Sequence, residues 1–364
     1  MFQNVKIREG HDNFFTPLRL IFAVMVVIGH AMVIGYRDMA GEPRLFFDYT
    51  FSYLAVNLFF IASGFLVTKS MLYRKDLVEY SAARIIRIYP GLLVHVLFVM
   101  FAMGPFVTNL PIMQFLTNPQ FYTQPLQVLS FYETNMVMPG ALASNHEQLG
   151  SAPLWTLRFE ILAYIGTAVA FALGLLKKNW MLIGQFVIFV TAWPIAHLTG
   201  IFEQLPGTGQ NILRFGLAYG LGAAIYALRD RLSFNIIGIP VIGLLTALCS
   251  QTVMFEPMVN IWLGYIIFWA AYVKIPKLNF LQKMDDISYG VYIYHWCVLQ
   301  WIFYANPNMN PWVLLAAAVP FTIALSCASW IWVEKPMLAK KKTLAKFLRF
   351  GSKKPKAKII QPAE

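Results

Sequence analysis

Apolar runs, each about the length of a membrane crossing, recur along the whole chain with short polar stretches between them. Windows long enough to cross roughly 30 Å of hydrocarbon fall near residues 17–36, 51–72, 88–108, 154–176, 180–200, 211–228, 234–251, 257–273, 287–304 and 312–333. The pattern predicts an all-α integral membrane protein of about ten transmembrane helices, and an even number places both termini on one side. No repeat of 20 to 50 residues is visible. The 31 residues after Val333 are too few to bury a core, so any chemistry belongs to the membrane unit 1–333, and 334–364 reads as a basic tail. The first run follows Lys6 and Arg8 as a signal peptide would, but its length and embedded Arg and His point to an uncleaved anchor.

Charge supplies the orientation. Alternate loops hold Arg74, Lys75, Arg84 and Arg87, then Lys177 and Lys178, then Arg229 and Arg231, then Lys274, Lys277 and Lys283, and finally the tail. From Ile88 to Leu157 there is no Lys or Arg at all. By the positive-inside rule both termini are cytoplasmic and segment 109–153 is external. With 58% hydrophobic and 13% charged residues, the chain has too little polar surface for a soluble globule of its size. The net charge of +12 lies largely in the tail and between apolar runs. That placement suits anionic lipid headgroups, and no nucleic-acid partner is expected. Cys249, Cys297 and Cys327 sit inside apolar runs and offer neither a disulfide framework nor zinc spacing; no metal is expected.

The polar residues within apolar runs are the candidates for chemistry, because a centred Arg in lipid costs on the order of 2.5–3.5 kcal/mol. Arg19 and His30 in "LRLIFAVMVVIGH" are eleven residues apart. In a helix that is three turns plus about 20°, with a rise of roughly 16 Å, so they share a face without touching the same atom. Snorkelling would account for Arg19 and a bond to a neighbouring helix for His30. In "NLFFIASGFLVTKS", Gly64 permits close helix approach and Ser63 can bond a carbonyl. Arg84 and Arg87 in "ARIIRIYPGLL" share a face at i, i+3 if helical, with Pro90 in a first turn. Paired guanidiniums suit phosphate, though they also enforce topology. In "PLWTLRFEILAY", Arg158 and Glu160 point apart and each needs a partner; His30 or a substrate hydroxyl is the candidate for Glu160. His295 in "ISYGVYIYHW" lies near midspan, open to a structural or a functional role.

These stretches, together with "FFIASGF", "RIIRIYP", "LWTLRFE" and "VEKP", span residues 14–336 in an order that resembles the acyltransferase-3 membrane proteins, which O-acylate bacterial surface polysaccharides and related small molecules. The resemblance implies ten helices, acyl-CoA bound from the cytoplasm, and an acceptor met at the outer half of a bacterial cytoplasmic (inner) membrane. It implies that Arg19 and His30 are required for activity and that Arg84 and Arg87 serve the acyl donor. Ser63, Trp155 and His295 fall in the same motifs as substrate or structural support. The hydrolase-like domain that some members fuse to the membrane unit is absent from this sequence.

On that basis Arg84, Arg87 and Arg19 hold the phosphates of acetyl-CoA or another acyl-CoA while the pantetheine arm runs along the first helix. His30 then takes the proton of an acceptor hydroxyl, and Glu160 orients the imidazole or the acceptor. The acceptor is expected to be a carbohydrate or lipid-linked glycan, because segment 109–153 is rich in Phe121, Tyr122, Phe131, Tyr132, Asn118, Gln120, Gln124, Gln127 and Asn135. A membrane interface collects aromatics too. A homo-oligomer is compatible with this reading. The rival is a multi-pass transporter using Arg19, His30, Glu160 and His295 as a polar path, although no inverted halves are found.

Overall fold

A computed structural model describes residues 4–8, 10 and 12–351. The chain is 74% helical, and each of the ten apolar windows contains a helix. These are α1 (Phe15–Tyr36), α2 (Phe51–Arg74), α3 (Leu77–Leu97), α4 (Trp155–Ala172), α5 (Asn179–Leu198), α6 (Gly207–Ala227), α7 (Gly238–Leu248), α8 (Phe255–Tyr272), α9 (Ser288–Ala305) and α10 (Pro311–Ser329). Among the described residues six helical runs are long and apolar enough to span a membrane, or seven if α8 is joined to Pro276–Lys283 across its 98° bend. The all-α membrane class therefore holds, and the count meeting that standard is lower than ten. α7 is only 11 residues long, while α6 and α9 interleave Gly, Tyr and amide residues with the apolar ones.

Local chemistry fixes the ends of the helices. The Thr50 hydroxyl accepts from Tyr53 N–H at 3.3 Å to start α2, and Lys75 in the left-handed region stops it. Asp76 then accepts from Glu79 N–H at 2.9 Å to start α3. That start is eleven residues ahead of the apolar window, so Arg84 and Arg87 lie within the helix and Pro90 is interior rather than in a first turn. α3 continues through a π turn at Phe98–Met103 to Val107. α10 likewise passes through a π turn, Trp330–Glu334, to Lys335–Ala339.

Packing is closest where small residues let backbones meet. A Cβ on Gly64 would stand 2.0 Å from the Tyr219 carbonyl, and one on Gly222 would stand 2.0 Å from that of Ile61. Gly64 thus joins α2 to α6, the close-approach role its sequence context predicts. α1, α2, α9 and α10 form the other packed group.

Segment 109–153 folds as a cap of two short helices, Ile112–Thr117 and Pro119–Leu129, and a strand pair, Met136–Val137 with Leu149–Ser151. Trp296 donates to Leu149 O at 2.8 Å and Gln300 to Glu147 O at 2.7 Å, tying the cap to α9. Of its amide and aromatic residues, Asn118 caps a helix, Phe121 is buried, and Gln124 donates to Gln127. These are committed to the cap itself, whereas Tyr122 and Tyr132 are exposed. The tail forms an amphipathic helix, α11 (Lys341–Gly351), docked on α3, where Arg349 reaches Asp76 at 2.6 Å and Glu79 at 3.3 Å. The rest of the tail, residues 352–364, lies outside the described residues.

Candidate active site

A cavity of about 260 Å³ opens between α1, α2, α3, α4 and α9. Arg19, Ser63, Arg84, Arg87 and Glu160, five of the residues singled out in the sequence, line it, with Tyr164, Tyr289 and Tyr292 among their neighbours. Trp155 does not line it; its ring packs 5.8 Å from both Phe159 and Phe215. His30 and His295 are also absent from the lining and lie beyond Tyr292, whose ring is 6.2 Å from that of His295.

The three arginines are not equivalent. Asp286 sits two residues ahead of α9, where its Oδ1 accepts from the Ser288 hydroxyl at 2.5 Å. Its Oδ2 accepts from Arg19 Nη1 at 2.5 Å and Arg87 Nη2 at 2.8 Å. Burial pushes this carboxyl up, but the two guanidiniums and Ser288 outweigh it and hold the group at about 2. Arg87 also lies 3.9 Å from the buried Glu334. Arg84 has no carboxylate within ion-pair reach among the described residues. It stands over the Tyr164 ring at 5.3 Å, and its Nε is buried without a partner. Asp286 was not singled out in the sequence; the pair Asp285–Asp286 in an otherwise basic loop was the available signal.

Glu160 accepts from the Tyr164 hydroxyl one turn along α4, and Arg158 turns away to the Phe131 and Tyr132 carbonyls at 3.1 and 2.8 Å. The partner of His30 is therefore not Glu160. His30 Nδ1 lies 2.7 Å from His295 Nε2, the two rings are stacked 5.0 Å apart, and Trp296 packs edge-on against His30. His295 Nδ1 faces the Val291 carbonyl at 3.1 Å. A carbonyl has no proton to give, so in the neutral pair His295 carries its proton on Nδ1 and accepts at Nε2. His30 must then donate from Nδ1, which leaves its Nε2 lone pair free; no hydrogen-bond partner for that atom is found among the described residues. A second buried histidine, His95, is hydrogen-bonded to Ser151 at 3.0 Å. Among the described residues no group of three His, Cys, Asp or Glu is arranged to hold a metal ion.

Spanning helices around a polar cavity, with a histidine pair beyond its end, define a multi-pass membrane protein with an embedded site. The chain belongs to the family described as "Acyltransferase domain", which matches residues 13–331. It is similar to nodulation protein 10 of Rhizobium leguminosarum bv. viciae, with 25% identity over 91% of this chain and 94% of that protein. It is also similar to the O-acetyl transferase of Shigella phage Sf6, with 26% identity over 90% of this chain and 97% of that one. No solved structure matches. The protein is thus a membrane acyltransferase of O-acetyltransferase-like type, which displaces the transporter reading.

Proposed function

We propose that this acyltransferase moves an acetyl group from cytoplasmic acetyl-CoA to a sugar hydroxyl of a surface or secreted polysaccharide or its lipid-linked precursor, with His30 as general base. This reading takes ten helices to cross a bacterial inner membrane, both termini being cytoplasmic. The observation that carries it is the chain Val291 carbonyl, His295, His30, which holds the His30 tautomer with Nε2 unprotonated. His30 Nε2 takes the acceptor's hydroxyl proton as that oxygen bonds to the acyl carbon. The C–S bond breaks, and the same proton passes from His30 to the departing thiolate, so the imidazole ends as it began.

The thioester end must reach His30 past Tyr292 while the phosphates stay among the arginines, some three helical turns away along α1. Arg84, which has no carboxylate partner, is available to an anion as it stands. Arg19 and Arg87 are shared with Asp286 and serve first to order the start of α9. Glu160, placed on the cavity wall with Tyr164, is positioned for the acceptor or the donor's amides rather than for the imidazole. The test uses membranes containing the protein, radiolabelled acetyl-CoA, and a panel of polysaccharides and lipid-linked sugars. Label entering a glycan with the wild type and not with His30→Ala is the expected result; no label on any acceptor, with a folded protein, would overturn the proposal.

A further inference from the structure

We infer that Arg74 and Ser70, at the end of α2, form with Arg84 a phosphate site that takes the outermost phosphate of the acyl donor, the 3′-phosphate of coenzyme A. The inference rests on the donor proposed above. Arg74 Nη1 donates to the Ser70 hydroxyl oxygen and, at 3.2 Å, to the Ser70 carbonyl. From α3, Arg84 Nη2 approaches the same hydroxyl oxygen at 3.5 Å. A hydroxyl oxygen has two lone pairs. With both turned to guanidiniums, the Ser70 proton is directed away from them, as a third donor beside two cations.

No carboxylate comes into ion-pair contact with this pair among the described residues, Glu79 acting on Arg74 only from beyond that distance. Among the described residues neither Arg74 nor Arg84 is in an ion pair, although acids are close in sequence. Arg349 of α11 engages Asp76 and Glu79 at 2.6 and 3.3 Å, and Asp76 also caps α3. Asp286 is taken by Arg19 and Arg87. Two like charges converging on one oxygen, with Asp76 and Glu79 bound to Arg349 and Glu160 to the Tyr164 hydroxyl, leave room for an anion that a phosphate fills through charge-assisted bonds.

Position selects which phosphate. Arg84 lines the cavity, whereas Ser70 and Arg74 continue α2 beyond Val67, the last α2 residue on the lining. They stand outside the mouth, at the end away from Tyr292. In coenzyme A the diphosphate lies between the pantetheine arm and the adenosine, and the 3′-phosphate lies beyond it on the ribose. With the thioester directed inward, the diphosphate falls on the cavity side of Arg84 and the 3′-phosphate on its Ser70 side, against Arg74. An anionic lipid phosphate shares this chemistry, so the test separates the two sources.

The full-length protein is placed in phosphatidylcholine nanodiscs, and binding of CoA and 3′-dephospho-CoA is measured by calorimetry alongside KM for their acetyl forms. The wild type should prefer CoA by about tenfold, equivalent to about 1.4 kcal/mol. Arg74→Gln should bring CoA down to the dephospho level without moving 3′-dephospho-CoA, and Ser70→Ala should give a smaller shift in the same direction. Lys178→Gln, which removes an exposed charge elsewhere, should change neither. Equal affinity of the wild type for both compounds, or a preference that survives Arg74→Gln, would overturn the assignment. So would a loss of CoA affinity on adding phosphatidylglycerol that Arg74→Gln abolishes, since that places a lipid phosphate there. Failure of the wild type to bind either compound or to transfer acetyl would instead overturn the donor itself.

Discussion

Two of the polar clusters within the apolar bundle differ in how far the hydrogen-bonding capacity of their charged groups is used. In the first, at the starts of α2 and α8, Glu256 Oε2 accepts from the Tyr49 hydroxyl at 2.5 Å, while Oε1 accepts from Asn57 at 3.0 Å and Asn260 at 2.9 Å. Arg214 donates to Asn57 Oδ1 at 2.9 Å and Tyr53 O at 3.0 Å and lies 3.3 Å over the Tyr53 ring. None of these side chains lines the 260 Å³ cavity. The second cluster is the cavity wall with the histidine pair beyond it, where Arg84 Nε and His30 Nε2 are left without partners. A bundle that satisfies Glu256 so fully had the means to satisfy Arg84. Buried polar groups left open are costly. Unpartnered atoms occur elsewhere too, Asn260 Oδ1 of the first cluster among them, but there both charged groups, Glu256 and Arg214, are fully engaged, whereas the Arg84 guanidinium on the cavity wall is not.

The largest expected effect sharpens that contrast. His30→Ala should lower transfer by about 10³-fold, with the melting temperature in detergent close to wild type, because His30 is half-buried and gives up one hydrogen bond. A residual rate within tenfold of wild type would remove His30 from the chemistry. Glu256→Ala should do the reverse. It strands the donors of the buried Asn57 and the half-buried Tyr49 beside Arg214, leaves Asn260 only the residue-256 carbonyl, and should cost about 3 kcal/mol of stability, read as a lowered thermal midpoint, with KM for acetyl-CoA unchanged. A wild-type midpoint with a collapsed kcat would show that saturation does not separate structure from function in this protein.

A smaller effect tests the tautomer chain. His295→Leu removes the acceptor for His30 Nδ1, and kcat should fall by about 10- to 100-fold. His295→Gln offers a side-chain oxygen at similar reach and should recover part of that loss. A purely packing role for His295 predicts instead that Leu, the apolar replacement, is tolerated at least as well as Gln in this buried position.

The legible part of the sequence was the part written in runs and spacings. Ten apolar windows located ten helices, and the i, i+3 spacing of Arg84 and Arg87 put both on the cavity wall with Arg19 and Glu160. Pairings between distant segments were not legible. Asp286 is 267 residues from Arg19 and 199 from Arg87, and His295 is 265 from His30. No local periodicity encodes such contacts, which exist only because α9 packs against α1. Depth along the helix made Glu160 a reasonable partner for His30, but rotation about α4 turns its carboxylate to Tyr164 instead. The amides of segment 109–153 looked like ligands because composition does not distinguish a side chain that caps its own helix from one that faces outward.

The smallest effect concerns Asp286, and it separates ion-pair scaffolding from titrating chemistry. Its carboxyl is held at about 2, below the ordinary value of 3.8. A carboxylate depressed on folding contributes stability that is fully present above the unfolded value and is lost as pH falls through the folded one. The window of loss therefore runs from roughly pH 4 down to about 2, well below any pH at which a histidine base operates. Asp286→Asn should lower stability by about 1 kcal/mol, because the pairs it makes are partly open to solvent. That deficit should stay constant between pH 5 and 8 in thermal melts. Activity over the same range should follow one and the same pH profile in wild type and variant, because a carboxylate that stays ionised adds no titration of its own there. A stability deficit that itself changed across pH 5 to 8 would mean that the Arg19–Asp286–Arg87 group titrates with the histidines. The two ends of the cavity would then be one coupled network and not a fixed anchor facing a working base.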